Sequence, residues 1–130
     1  MKFSLFLNSR LRPDLLRNFL SSVDQMTFDK NNIEILIKYD NDDELTHAFS
    51  KENFNIETKF IRGPRPDNLC ASYNQLVKKC VGENLFVCND DISILTKNWD
   101  QIALQKIEKY NAETCNSDGI YYCRTLCNSS

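Results

Sequence analysis

One stretch of the chain, LFVCNDDISIL at residues 85–95, interrupts core-like residues with ionisable ones. Leu85, Phe86, Val87 and Cys88 enter it, Ile92, Ile94 and Leu95 leave it, and Asn89, Asp90 and Asp91 sit between. Two carboxylates and an amide at that spacing suit a hard cation bound through oxygen. Magnesium or manganese takes only one or two protein carboxylates and completes its shell with water and phosphate oxygens. Such an ion lets an acidic site hold a diphosphate, and it offsets charge on a departing phosphate. The same residues also suit a plain strand-end turn, common work for Asp. Three other polar clusters follow apolar runs in the same way: Asn8-Ser9-Arg10, Asp40 to Asp43, and Arg62-Gly63. The single histidine, His47 in DELTHAF, fits a surface helix position better than a catalytic one.

These clusters must be held by something. Phe3 to Leu7 is an apolar run that predicts a strand ending at Asn8. Pro13 then opens a helical pattern with Leu15, Leu16, Phe19, Leu20 and Val23 on one face. Ile33 to Tyr39, rich in β-branched residues, predicts a second strand that stops at Asp40. A short helix is expected over Asp43 to Ser50, with Asp42 and Asp43 at its start, and a third strand over Ile56 to Ile61. The sequence RGPRP ends that strand, because glycine and proline there forbid regular structure. Asp67 is the expected N-cap of a third helix bearing Leu69, Tyr73, Leu76, Val77 and Cys80, with Gly82 as its stop. Asn74 is expected to serve as a helix residue. The fourth strand is Leu85 to Cys88. Asn98 should cap a helix carrying Trp99, Ile102, Ala103, Ile107 and Tyr110, and DGIYYCRTL predicts a fifth strand.

Strands alternating with helices predict a three-layer α/β domain with strands near 3–8, 33–39, 56–61 and 85–88 side by side and mainly parallel. In such open sheets, ligands bind just beyond the carboxyl ends of the strands, where the strand order switches. All four polar clusters fall at those ends and so are expected to share one rim.

The 130 residues point to a single domain, and 42% hydrophobic with 26% charged residues is ordinary for a soluble globular chain. A formal charge of -2 gives no general attraction to nucleic acid or to an anionic membrane. No apolar run approaches the roughly 18 residues of a membrane span, and MKFSLFLNSRLRP reads as a buried first strand, not a signal peptide. Six cysteines at 70, 80, 88, 115, 123 and 127 follow no disulfide or zinc spacing, which predicts reduced thiols and a cytoplasmic setting.

The order and spacing of these motifs resemble the nucleotide-binding half of family-2-like glycosyltransferases with the GT-A fold. FSLFLNSRLRPDLLRNFLSSV is similar to their first strand and helix, and IEILIKYDNDDE to their second strand, ending in an Asp. DNLCASYNQLVKKCVGENLFVCNDDI is similar to their helix with an internal Asn, then Gly, then the strand ending in the D-x-D motif. The resemblance covers roughly the first hundred residues. It implies a truncated, Rossmann-like GT-A domain that uses a nucleoside diphosphate sugar, a UDP-sugar first, with Mn²⁺ or Mg²⁺. Asn89 stands where the first Asp of the motif usually lies and would face sugar or ribose. Asp90 would bind sugar hydroxyls, and Asp91 would hold the divalent ion. Asp40 would contact the base, with Asn8 on the same rim. Arg10 and Arg62 stay open between nucleotide contacts and surface charges.

After Leu95 the chain runs from Thr96 to Ser130, where Asp118 in SDGIYY brings no general-base motif. Transfer with inversion needs a base within hydrogen-bond reach of the acceptor hydroxyl. Two functions therefore stay open: a glycosyltransferase with an unknown acceptor, and a catalytically silent nucleotide-sugar-binding domain whose acceptor half is largely absent. A doubly wound domain of other chemistry is a weaker third, because no G-x-G-x-x-G or G-x-x-x-x-G-K occurs.

Overall fold

A computed structural model describes residues 1–113. The expected alternation is present: β1 (Phe3–Asn8), α1 (Pro13–Met26), β2 (Ile33–Asp40), α2 (Glu44–Phe49), β3 (Glu57–Gly63), α3 (Leu69–Val77), β4 (Asn84–Val87) and α4 (Trp99–Glu113). The predicted fifth strand, Asp118 and Cys115, Cys123 and Cys127 lie outside the described residues. The four strands form one sheet in the order β3-β2-β1-β4, every pair parallel, as the alternation predicts.

Strand alternation divides the core into two faces. Phe3, Leu5, Leu7, Ile33, Ile35 and Ile37 meet Leu16, Phe19, Leu20 and Val23 of α1, Phe49 of α2 and Trp99 of α4. Phe6 and Leu36 meet Leu76 of α3 on the other face. Helices on both faces explain why β2 is buried along its whole length, since a central parallel strand has no solvent side. Each of these Leu, Ile, Val or Phe side chains contributes about 1.5–3 kcal/mol by leaving water. Pro13 occupies the first turn of α1, where its missing N–H has no partner to lose.

Two expected punctuation marks move. Asn68, not Asp67, caps α3, its side chain accepting from the Ala71 N–H at 2.8 Å. Both residue types cap well, and the helix begins one position later than the pattern suggests. Gly82 does not stop α3, which ends at Val77 with Lys78 as its C-cap. Gly82 instead lies against β1: its N–H donates to Ser4 Oγ at 2.7 Å, and an added Cβ would stand 2.6 Å from Ser4 N. A glycine is needed here for close approach of two backbones.

That contact belongs to a polar knot at the amino ends of the strands. Glu34, fully buried, accepts from Ser4 Oγ at 2.5 Å, the Val81 N–H at 2.7 Å and Lys59 Nζ at 2.8 Å. Burial alone would push its carboxyl pKa up, but these three donors outweigh burial and hold it below the usual range. A buried charge survives here because every side of it is hydrogen-bonded. At the same time the knot fixes the α3–β4 connection, and so the start of β4. Trp99 Nε1 donates to Thr27 Oγ1 at 2.9 Å, and Asp100 accepts from the Phe28 and Asp29 N–H groups at 2.8 and 3.0 Å, tying α4 to the end of α1.

Cys70 is exposed, Cys80 half-buried and Cys88 buried, and no disulfide joins these three to one another. Among the described residues no helix is long and apolar enough to cross a membrane.

Candidate functional site

The strand order reverses between β1 and β4, so Asn8 and Val87 flank the switch point beyond which open parallel sheets form their binding crevice. The ladder continues one residue further, the Cys88 N–H donating to Phe6 O at 2.9 Å. Asn89 follows, and Asp90-Asp91 then form a turn. The turn and the site are therefore one feature. Asp90 is buried inside the turn, whereas Asn89 and Asp91 are exposed on either side of it. Ser9 Oγ donates to Asp90 Oδ2 at 2.9 Å across the crevice, and Arg12 Nη1 lies 3.6 Å from Asp90 Oδ1.

Asn8 closes the crevice from β1. Its Oδ1 accepts a hydrogen bond from the Ser72 hydroxyl of α3, which leaves Nδ2 as the amide's remaining donor. That nitrogen is buried and has no acceptor within the described residues. A buried donor without a partner is uncommon in folded proteins and marks a place where an acceptor is wanted.

One strand further along, Asp40 ends β2 between two cations. Arg10 Nη1 donates to Asp40 Oδ2 at 2.8 Å and to Asp42 Oδ1 at 2.7 Å, with Nη2 reaching Asp42 Oδ2 at 3.1 Å. Lys38, a buried lysine whose Nζ also donates to Pro64 O at 3.2 Å, lies 3.4 Å from Asp40 Oδ1. The Arg10 guanidinium holds the Asp42 carboxyl below its usual range. Arg62, near the end of β3, donates to Asn41 O at 2.5 Å and to Glu44 Oε1 at 2.8 Å.

The β1–α1 connection is pinned by a residue outside the candidate set. Asp43 caps α2, accepting from the Thr46 N–H at 2.9 Å and the Thr46 hydroxyl at 2.6 Å. It also accepts from the Leu11 N–H at 2.8 Å. Leu11 has φ 54°, a left-handed conformation unfavourable for a leucine and held here by that bond. One carboxylate thus sets both a helix start and the path of the loop carrying Arg10 and Arg12.

The structure therefore joins Asp90 to Ser9 and Arg12, with Asn8 next to Ser9 at the end of β1, and seats Arg10 on Asp40 at the end of β2. Arg62 is tied to the β2–α2 connection, and Asn89 and Asp91 are left open to solvent. Arg12, Lys38 and Ser72 carry no signal of their own in the sequence, and Ser9 stands out only as part of the Asn8-Ser9-Arg10 cluster. Ser9 and Arg12 lie in an already conspicuous polar segment. Lys38 sits in a strand that reads as core, and Ser72 has no local signal because its role depends on how α3 lies over β1.

Among the described residues no group of three or more His, Cys, Asp or Glu side chains converges as a metal cage. Asp90 is engaged by Ser9 and Arg12, which leaves the exposed Asp91 carboxylate as an oxygen donor at the turn. A single carboxylate fits magnesium or manganese only when phosphate oxygens and water fill the remaining positions.

The model for glycosyl transferase family 2 matches residues 5–129. No curated protein matches the chain. Among solved structures, S. aureus TarS 1-349 superposes with a TM-score of 0.71 at 20% identity, over 85% of this chain and 33% of that one. The same TarS fragment in complex with UDP gives 0.66 at 20% identity, over 85% and 33%. Its complex with UDP-GlcNAc gives 0.65 at 21% identity, over 85% and 32%. The chain thus spans a third or less of these TarS chains, and the likeness is one of fold: an α/β domain of GT-A type with an all-parallel four-stranded sheet. With the family model extending over nearly its whole length, the chain belongs to glycosyl transferase family 2.

Proposed function

We propose that this domain holds the donor of a glycosyl transfer, a nucleoside diphosphate sugar and a UDP-sugar first, in the crevice between β1 and β4. The observation that carries this reading is the place of the Asn89-Asp90-Asp91 turn, directly past β4 where the strand order reverses, with Asp90 bonded to Ser9 beside Asn8. Family membership supports the substrate class, and the TarS fold is one that has been crystallised with UDP and with UDP-GlcNAc. Asp40, next along the rim, would accept from the N–H of a base, and the unpartnered Asn8 Nδ2 would donate to a base or ribose oxygen. Asp90 faces the sugar hydroxyls, with Asn89 beside it.

Asp91 would hold the divalent ion, Mn²⁺ or Mg²⁺, which when bound offsets the charge of the departing diphosphate. In the transfer itself an acceptor oxygen bonds to the anomeric carbon and the bond from that carbon to the diphosphate breaks. The acceptor proton passes to a base, and the diphosphate leaves with the bonding electrons. The protein's work in the donor half is to orient that diphosphate and exclude water.

Calorimetric titration of UDP into the full chain, with and without Mn²⁺, tests the reading. Asp91→Ala should abolish the metal-dependent part of binding while leaving the fold intact. Asp40→Ala should weaken binding and keep the metal dependence. Equal UDP affinity in wild type with and without Mn²⁺ would remove the metal from the proposal. Unchanged affinity in Asp40→Ala would remove that residue from the base site. Measurable hydrolysis of the bound UDP-sugar distinguishes a turning-over enzyme from a domain that only binds.

A further inference from the structure

We propose that Arg12 receives the diphosphate of the donor, exchanging the Asp90 carboxylate for phosphate oxygens as the donor enters. The inference rests on the donor-binding reading above and concerns how an acidic rim admits an anion. Arg10, Arg12, Arg62 and Arg65 stand on or near that rim, and they differ in what holds them. Arg10 makes three short contacts to Asp40 and Asp42. Arg62 is bound to Asn41 O and Glu44. Arg65 follows β3 on the Asp42 side, with β2 and β1 lying between β3 and β4. Arg12 is beside the crevice, its side chain is 58% exposed, and its ion pair with Asp90 is a long 3.6 Å contact. The carboxylate it touches already accepts a shorter bond from Ser9.

Releasing Arg12 from Asp90 therefore gives up little, and a phosphate offers much more. A planar guanidinium can make two parallel N–H···O bonds to one phosphate, in place of one long contact. The backbone need not move. Leu11 is anchored to Asp43 on one side, and Pro13 begins α1 on the other, so only the Arg12 side chain has to swing. The exchange also frees the Oδ1 side of Asp90 while Ser9 keeps the carboxylate oriented. A freed acceptor then faces the sugar at the moment the diphosphate is seated. Entry of the phosphate and readiness of Asp90 are thereby one event.

The test uses the full chain and calorimetry with UDP, GDP, CDP and ADP, each paired with its phosphate-free nucleoside. The tightest pair is carried to Arg12→Ala, Arg12→Lys and Arg65→Ala. Arg12→Ala should weaken the diphosphate about 10–100-fold, as expected for one charge-assisted hydrogen-bonded pair, and leave the nucleoside unchanged. Arg12→Lys should fall between, keeping charge but not the paired bonds, and Arg65→Ala should match wild type. Diphosphate affinity should also depend less on KCl concentration in Arg12→Ala than in wild type. Equal losses for diphosphate and nucleoside in Arg12→Ala, or none for either, would overturn the role of Arg12 while leaving the donor reading standing. Wild type binding none of the four diphosphates would overturn the donor reading itself, and this inference with it.

Discussion

Asp43 touches nothing a ligand would touch, yet its removal should be felt at the rim. Its Oδ1 accepts the Thr46 N–H, while Oδ2 accepts both the Thr46 hydroxyl and the Leu11 N–H. Asp43→Asn can keep Oδ1 as the cap of α2, but it sets an NH₂ against the Leu11 N–H, donor facing donor. The Thr46 hydroxyl can turn and accept, so the net loss is one part-buried amide left unsatisfied. That costs about 1–3 kcal/mol. Asp43→Ala loses the cap as well, a further ~1 kcal/mol, for a total of about 2–4 kcal/mol. With its anchor gone, Leu11 can relax from φ 54° and carry Arg10 and Arg12 off their carboxylates. UDP affinity should fall in both variants. The pH dependence has a definite sign. Burial pushes the Asp43 pKa up, but the bonds from Thr46 and Leu11 outweigh it and leave the folded value below the ordinary one. The stabilisation is then fully present above the unfolded pKa of about 4 and is lost as pH falls through the lower folded value. Urea denaturation from pH 7 down to pH 3 should show the gap between wild type and Asp43→Asn narrowing below pH 4. A gap under 0.5 kcal/mol at pH 7, or one that widens on acidification, would refute the argument.

Gly82→Ala should cost about 1–3 kcal/mol or more, because the new Cβ meets Ser4 N at 2.6 Å and Phe3 C at 2.7 Å, backbone that cannot yield cheaply; a wild-type melting temperature would contradict this. Glu34→Gln should lower stability by about 1–3 kcal/mol, since Ser4 and Val81 both donate to one carboxylate oxygen, yet leave UDP affinity unchanged at the far end of the strands. Alkylation of native protein should label the exposed Cys70 quickly, Cys80 slowly because burial raises its thiol pKa, and the buried Cys88 least; mass spectrometry after denaturation should count six thiols, and fewer would reveal a bridge.

The elements were legible because their periods are clean: Leu16, Phe19, Leu20 and Val23 recur as only a helix face does, and Ile33 to Tyr39 reads as a buried strand. The rim was legible because ionisable residues end each apolar run. What periodicity does not contain is lateral order. Nothing local in NLFV says that β4 lies beside β1 and not beside β3, and the crevice exists only because of that choice. Glu34 and Lys38 were hidden for the opposite reason, as charged residues inside a strand whose neighbours all read as core. The Ser72–Asn8 and Ser9–Asp90 bonds join residues 64 and 81 positions apart, beyond the reach of any spacing rule.

The sheet is held unevenly, and the acidic turn hangs from its weaker side. β1 and β2 share six paired positions, whereas β4 is four residues long and pairs with β1 alone among the described strands. Joining Phe3 to Asn84 closes a far longer loop than joining Phe3 to Ile33, although the extra entropy grows only slowly with length. With Leu85 44% and Val87 62% exposed, little apolar burial offsets that cost. β4 should therefore open locally at lower free energy than β1 and β2, which exchange only when the whole domain unfolds. A ligand seated between Asn8 and Asp90 would clasp the two strands together and close that opening by mass action. Deuterium uptake at Leu85 to Cys88 would then slow in proportion to occupancy, while the amides of β2 registered nothing until global unfolding.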